Sequence, residues 1–252
     1  MSDVLTRPAR GPDAVLRYAA VETGVADVYR ATGAAAPDRP VIVLVHGGFW
    51  RNRYDRTHLR PMAASLADDG STVVLPEYRR IGDAGGQWPG GLDDLLALLG
   101  QLPDLLGEGG AARPVVLGGH SAGGHLALLA ARALSSPLAG VVALAAVSDV
   151  AAARKAGLSD HVVDDLLGGP RAPLPVDADP AQLPSPPHPT VLVHGERDDV
   201  VPPDYSRRYA AERTSVRLLE IPGADHFDLI DPQSHAGTVV ADLLLARPTR
   251  SR

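Results

Sequence analysis

Short runs of β-branched and aliphatic residues recur along the chain, each closed by glycine, proline or a small polar cluster and followed by a stretch with helical spacing. That alternation predicts a mostly parallel sheet with helices on both faces, an α/β architecture. The apolar runs at 41–45, 72–75, 114–117, 140–145, 190–193 and 216–221 read as strands. Segments 14–19 and 25–30 read as an antiparallel hairpin before them. Helical patterns fall at 57–69, 92–106, 122–134, 204–213 and 233–246. Residues 148–189 are too many for a plain strand-to-strand connection, so they are expected to hold one helix around 161–167 and a proline-stiffened return. Two forms stay open for this segment: a small cap above the strand carboxyl ends, or a crossover helix with a decorated loop. At this length the whole chain, 1–252, is expected to form one domain.

The sharpest chemical signal lies where the run at 114–117 meets the helix at 122–134. Gly119-His120-Ser121-Ala122-Gly123 matches G-x-S-x-G, with the strand before it and the apolar helix after it that this nucleophile elbow requires. The glycines have a steric reason, because a sharp strand-to-helix turn leaves no room for side chains two residues either side of the serine. A serine hydroxyl needs a base within hydrogen-bond reach and an acid to orient that base. Downstream, His194-Gly195-Glu196-Arg197-Asp198 follows one strand and Asp225-His226-Phe227 follows the last, which makes Ser121, Asp198 and His226 the candidate catalytic set. Asp199 is the rival acid. His194 is expected to hold the acid loop through a backbone hydrogen bond, and His120 and His125 to pack around the elbow. His58, His161, His188 and His235 read as surface or cap residues. An oxyanion site calls for backbone donors. His46-Gly47-Gly48-Phe49-Trp50 supplies the Gly48 and Phe49 amides, and the helix start supplies that of Ala122. Trp50, Tyr54 and Trp88 are candidate substrate contacts, with plain core packing the competing reading.

Composition narrows the field further. A net charge of −6 lacks the basic footprint of a nucleic-acid binder. Cysteine is absent and Lys155 is the only lysine, in a stretch that reads as a loop, so thiolate, Schiff-base and P-loop chemistry lack a placed residue. No H-E-x-x-H or calcium-loop pattern occurs, so neither metal nor other cofactor is expected. The N-terminal residues carry charge and proline, and no apolar run approaches the roughly 18 residues of a membrane span. The expectation is a soluble, cytoplasmic protein acting on a small-molecule ester or amide, with a homodimer left open.

With those residues in hand, the chain resembles the α/β-hydrolase superfamily, and within it the esterase and arylformamidase (kynurenine formamidase-like) group. The resemblance rests on H-G-G-x-W at His46 to Trp50, the elbow at Gly119 to His125, H-G-x-x-D at His194 to Asp198, and Asp225 to Phe227. Glu77-Tyr78-Arg79 with Trp88-Pro89 and Leu92-Asp93-Asp94 also looks like a paired stretch of related esterases and is read as structural. Phe49 stands where the formamidases often have tyrosine. The resemblance implies cofactor-free ester or formamide hydrolysis through an acyl-enzyme. The same machinery would serve an acyltransferase, and the same scaffold a non-catalytic ligand-binding protein.

Overall fold

The β-branched runs form the strands of an eight-stranded sheet. The computed structural model describes residues 3–32, 39–107 and 113–246. In chain order the strands are β1 (Ala14–Arg17), β2 (Val25–Tyr29), β3 (Val41–Val45), β4 (Thr72–Pro76), β5 (Val115–His120), β6 (Gly140–Leu144), β7 (Thr190–Gly195) and β8 (Val216–Ile221). They lie in the order β1-β2-β4-β3-β5-β6-β7-β8. The pairs β1/β2 and β2/β4 are antiparallel, and every other pair is parallel.

Parallel strands must be covered on both faces, and β3 shows how the sequence does this. Ile42 and Leu44 join a cluster with Met62, Leu66, Val240 and Leu244, from helices α1 (Arg60–Asp68) and α7 (His235–Ala246). Their neighbours Val41, Val43 and Val45 join the opposite cluster, with Leu95 and Leu98 of α2 (Gly90–Leu106), Leu126 of α3 (Ala122–Ala133) and Tyr209 of α6 (Asp204–Ala211). Both faces of β3 are thus apolar, which is why its five residues read as one continuous aliphatic run.

The chain leaves β3 toward β4 on one side, while β5 pairs on the other side of β3. Ligands of open α/β sheets bind outside the strand carboxyl ends at such a switch point. The loop His46 to Trp50 leaves β3 there, and Ser121 follows β5.

Two sequence expectations change. The helical pattern at 57–69 divides into a 3₁₀ turn, Arg56–Leu59, and α1, because Pro61 in the first helical turn sets a fresh helix start. The segment 148–189 holds two helices instead of one, α4 (Val150–Lys155) and α5 (Leu158–Leu167). Asp149 caps α4 by accepting from the Ala152 amide at 2.8 Å, so Lys155 ends a helix instead of lying in a loop. Among the described residues no helix is long and apolar enough to cross a membrane.

Candidate active site

Strand β5 ends at His120 and α3 begins at Ala122, so the strand-to-helix turn is made at Ser121. Its backbone sits at φ 56° and ψ −119°, a region that costs an L-residue about 1–3 kcal/mol and persists only when its surroundings enforce it. The surroundings here are tight. The Ser121 amide donates to Leu144 O at 2.8 Å, which ties the turn to β6. A Cβ on Gly119 would lie 2.2 Å from Gly123 O, and one on Gly123 would lie 2.2 Å from Val45 O. Only glycine at both positions lets the strand, the turn and the helix close up.

Ser121 borders a cavity of about 100 Å³ whose lining also includes Gly48, Phe49, Tyr54, His58 and His226. His226 is buried, and its Nδ1 lies 2.7 Å from Asp198 Oδ2. Asp198 is held from every side: Oδ1 accepts the Val200 and Val201 amides at 2.9 and 2.8 Å, and His194 Nε2 lies 3.2 Å from Oδ2. Burial opposes ionisation of Asp198. The hydrogen bonds from His194 and His226, the charge of His226 and the Val201 amide outweigh it and hold the carboxyl well below the usual carboxylate range. Asp199, the rival acid, is exposed. With Nδ1 occupied by Asp198, Nε2 is the free nitrogen of the His226 ring. Among the described residues no hydrogen bond joins it to the Ser121 hydroxyl, a contact that is often long before substrate arrives.

The loop after β3 is strained in the same manner as the elbow. Gly48, Phe49 and Trp50 have successive positive φ values of 112°, 53° and 55°. The Gly48 and Phe49 amides donate to no other described residue, which leaves them for a ligand oxygen. Ala122 opens α3, so its N–H has no intrahelical acceptor. The loop is held from beneath by His46, which lies 2.7 Å from both Glu77 Oε1 and Gly47 O and stacks on Tyr78 at 4.5 Å. Burial disfavours the Glu77 carboxylate, but the charge and hydrogen bond of His46, followed by Arg80, hold it down to about 2.

The remaining expected residues divide by position. Tyr54 lines the cavity. Trp50 and Trp88 do not: they pack with α4 and α5 in a neighbouring apolar cluster, and the Trp50 indole N–H donates to His125 Nδ1 at 3.3 Å. No residue of 148–189 lines the cavity either, since α4 and α5 stack beside it on Trp50 and Ala122. His194 makes the expected backbone contact, to Val201 O at 3.0 Å. His120 lines the cavity as well, its ring 4.4 Å from that of His226 and its Nε2 donating to His226 O at 3.0 Å. Arg79 grips Asp94, with Nη2 to Oδ1 at 2.8 Å, in keeping with a structural role for that stretch. His58, read from sequence as a surface or cap residue, instead lines the cavity, where burial and then the charge of His46 push it down to about 4. Phe227, the last residue of the Asp225-His226-Phe227 segment, also lines it, as do Leu5 and Val200, which had no sequence signal because loop packing alone brings them there.

His125 carries a consequence for stability. It is fully buried, accepts from Trp50 at Nδ1 and donates from Nε2 to Ala178 O at 2.9 Å, so its neutral tautomer is satisfied at both nitrogens. Burial pushes its pKa down to about 4 from 6.5. Above pH 6.5 neither the folded nor the unfolded chain carries that proton. Below it the unfolded chain protonates first, so stability is lost as pH falls from 6.5 toward 4, by about 3 kcal/mol for a shift of this size. The expected result is a melting temperature that declines across this window, and a shallower decline in His125→Gln. An equal slope in both proteins, measured by thermal melts from pH 7 to 4, would contradict this assignment.

These features define the α/β-hydrolase fold: a mostly parallel sheet, a strained serine elbow after β5, and an acid and a histidine on the loops after β7 and β8. Residues 26–212 match the BD-FAE family model, and the chain belongs to that family. It is 27% identical over 242 residues to esterase LipC of Mycobacterium tuberculosis (strain ATCC 25618 / H37Rv), covering 83% of this chain and 60% of that protein. The chain therefore spans less than two thirds of that curated relative. Among solved structures, esterase B from Lactobacillus rhamnosis (HN001) aligns with a TM-score of 0.76 at 22% identity, covering 94% of this chain and 86% of its own. A truncated carbohydrate esterase from gut microbiota aligns with a TM-score of 0.73 at 18% identity, covering 93% and 98%. At these identities the two structures speak for the fold.

Proposed function

We propose that this chain is a serine esterase acting on small acyl esters. The observation that carries the reading is the strained Ser121 bordering the same cavity as His226, whose far nitrogen is held by the buried Asp198 carboxylate. LipC, named an esterase, supports it.

In this mechanism Ser121 Oγ attacks the ester carbonyl while His226 Nε2 takes its proton. Asp198 keeps Nδ1 protonated and stabilises the imidazolium. The amides of Gly48, Phe49 and Ala122 receive the oxyanion. The tetrahedral intermediate collapses as His226 returns the proton to the departing alcohol. Water, deprotonated by the same imidazole, then attacks the acyl-enzyme and releases the carboxylic acid and free Ser121. Every proton is accounted for by His226, so no cofactor enters.

The cavity of about 100 Å³ admits a short acyl group beside Ser121, formyl and acetyl included, and this keeps formamide cleavage within the proposal. A comparison of kcat/KM for p-nitrophenyl acetate, phenyl acetate and N-formylkynurenine tests the reading. Saturable hydrolysis of the acetates is expected, and turnover of N-formylkynurenine would extend the activity to formamides. Product analysis with added alcohol separates hydrolysis from acyl transfer. A folded protein that hydrolyses none of the three would contradict the proposal.

A further inference from the structure

The segment before β1 reaches the candidate active site by an unusual route. Val4 is fully buried in the core cluster that holds Leu229, Ile230 and Ala236. Arg7 Nη2 donates to Asp231 Oδ2 at 2.9 Å, and the same guanidinium bridges to Asp3. Asp231 is itself nearly buried and accepts the Gln233 amide at 2.9 Å, so its carboxylate has a fixed orientation. It closes the turn Asp228–Ile230, which follows directly on His226 and Phe227. The arm is therefore fastened on both sides of Leu5, to the segment that carries the histidine.

Leu5 lies between those two anchors, and it lines the cavity that holds Ser121 and His226. It is 43% exposed, whereas its neighbour Val4 is not exposed at all. A leucine held half in water by two adjacent anchors gains little from core burial. It shares the lining of that cavity, about 100 Å³ in volume, with Phe49, Tyr54, Val200 and Phe227. By the same measure a single water needs about 10–15 Å³, so that space takes a group of roughly ten heavy atoms or fewer.

We propose that the N-terminal arm, residues 3–10, is a wall of the substrate cavity and that Leu5 limits the length of the group held beside Ser121. The inference rests on the esterase reading above and adds a specificity-determining residue to it. The Arg7–Asp231 ion pair is the strap that keeps this wall in place.

The test measures kcat/KM on two ester series. One varies the acyl group of p-nitrophenyl esters from acetate through butyrate and hexanoate to octanoate, and the other varies the alcohol of acetate esters from ethyl to hexyl. The expected wild-type profile falls beyond the shortest members of at least one series. In that series Leu5→Ala raises the long-to-short ratio by about tenfold, the low end for a methylene or more in an apolar pocket. Leu5→Trp lowers the same ratio, and Arg7→Gln, which releases the strap, moves it in the direction of Leu5→Ala. Thermal melts check folding. Because Leu5 is partly exposed and Val4 is untouched, Leu5→Ala decides the matter even if the tryptophan variant folds poorly. Wild-type profiles in both series for folded Leu5→Ala would overturn the role of Leu5 and leave the esterase reading standing. A wild-type protein that turned over no ester in either series would overturn the esterase reading itself, and this inference with it.

Discussion

Replacing Ser121 by alanine is expected to lower hydrolysis of p-nitrophenyl acetate by about 10⁴- to 10⁶-fold, the range for removing a serine nucleophile whose base and oxyanion donors remain. The expectation follows from position as much as residue type. Ser121 is the hinge between β5 and α3, held at φ 56° by Gly119, Gly123 and the Leu144 carbonyl, and it borders the cavity together with His226. Alanine fits the same backbone geometry with one atom fewer, so circular dichroism and the melting temperature should stay close to wild type. A folded Ser121→Ala protein that kept more than a few per cent of activity would move the nucleophile elsewhere.

The second large effect is expected at the acid. Asp198→Asn should cost about 10⁴-fold in kcat, because an amide nitrogen facing His226 Nδ1 would force the proton onto Nε2, the nitrogen that must accept from serine. Asp199→Asn should leave kcat nearly unchanged, since Asp199 is exposed and it is Asp198 that lies 2.7 Å from His226. The pair of variants therefore separates two adjacent carboxylates by function. Equal losses in both, or a loss in Asp199→Asn alone, would contradict the pairing seen here. A pH profile adds a control: the environment that lowers the Asp198 pKa keeps its carboxylate charged throughout the neutral range, so its own protonation should not limit the rate there.

The parts of this site that were readable from sequence are those in which backbone chemistry forces the residue choice. Gly119 and Gly123 mark the elbow because any side chain there would strike a carbonyl oxygen, and Gly48 marks the proposed oxyanion loop because its φ of 112° is one that other residues adopt only at a cost. The burial of β3 on both faces was likewise written in five consecutive aliphatic residues. What escaped was set by packing between distant segments. Trp50 looks like a pocket residue from its place in the loop, yet its positive φ accompanies a ring packed against His125, away from the cavity. His58 sits on the 3₁₀ turn Arg56–Leu59, and only the fold brings that turn against the loop from β3. Helix α4 escaped because six residues are too short to display a period, and its one local mark is the cap at Asp149. Leu5 carried no mark at all, since its position depends on an ion pair between Arg7 and a residue 224 positions away.

The proposed chemistry depends on an activated hydroxyl at one residue, and covalent capture reads that property directly. Incubation with an ethyl p-nitrophenyl phosphonate should release one equivalent of nitrophenol, add one phosphonyl group to the protein, and place that mass on the peptide containing Ser121. His226→Ala should slow the capture by orders of magnitude with the fold retained. Absence of adduct in folded wild-type protein, or adduct on any other residue, would contradict it.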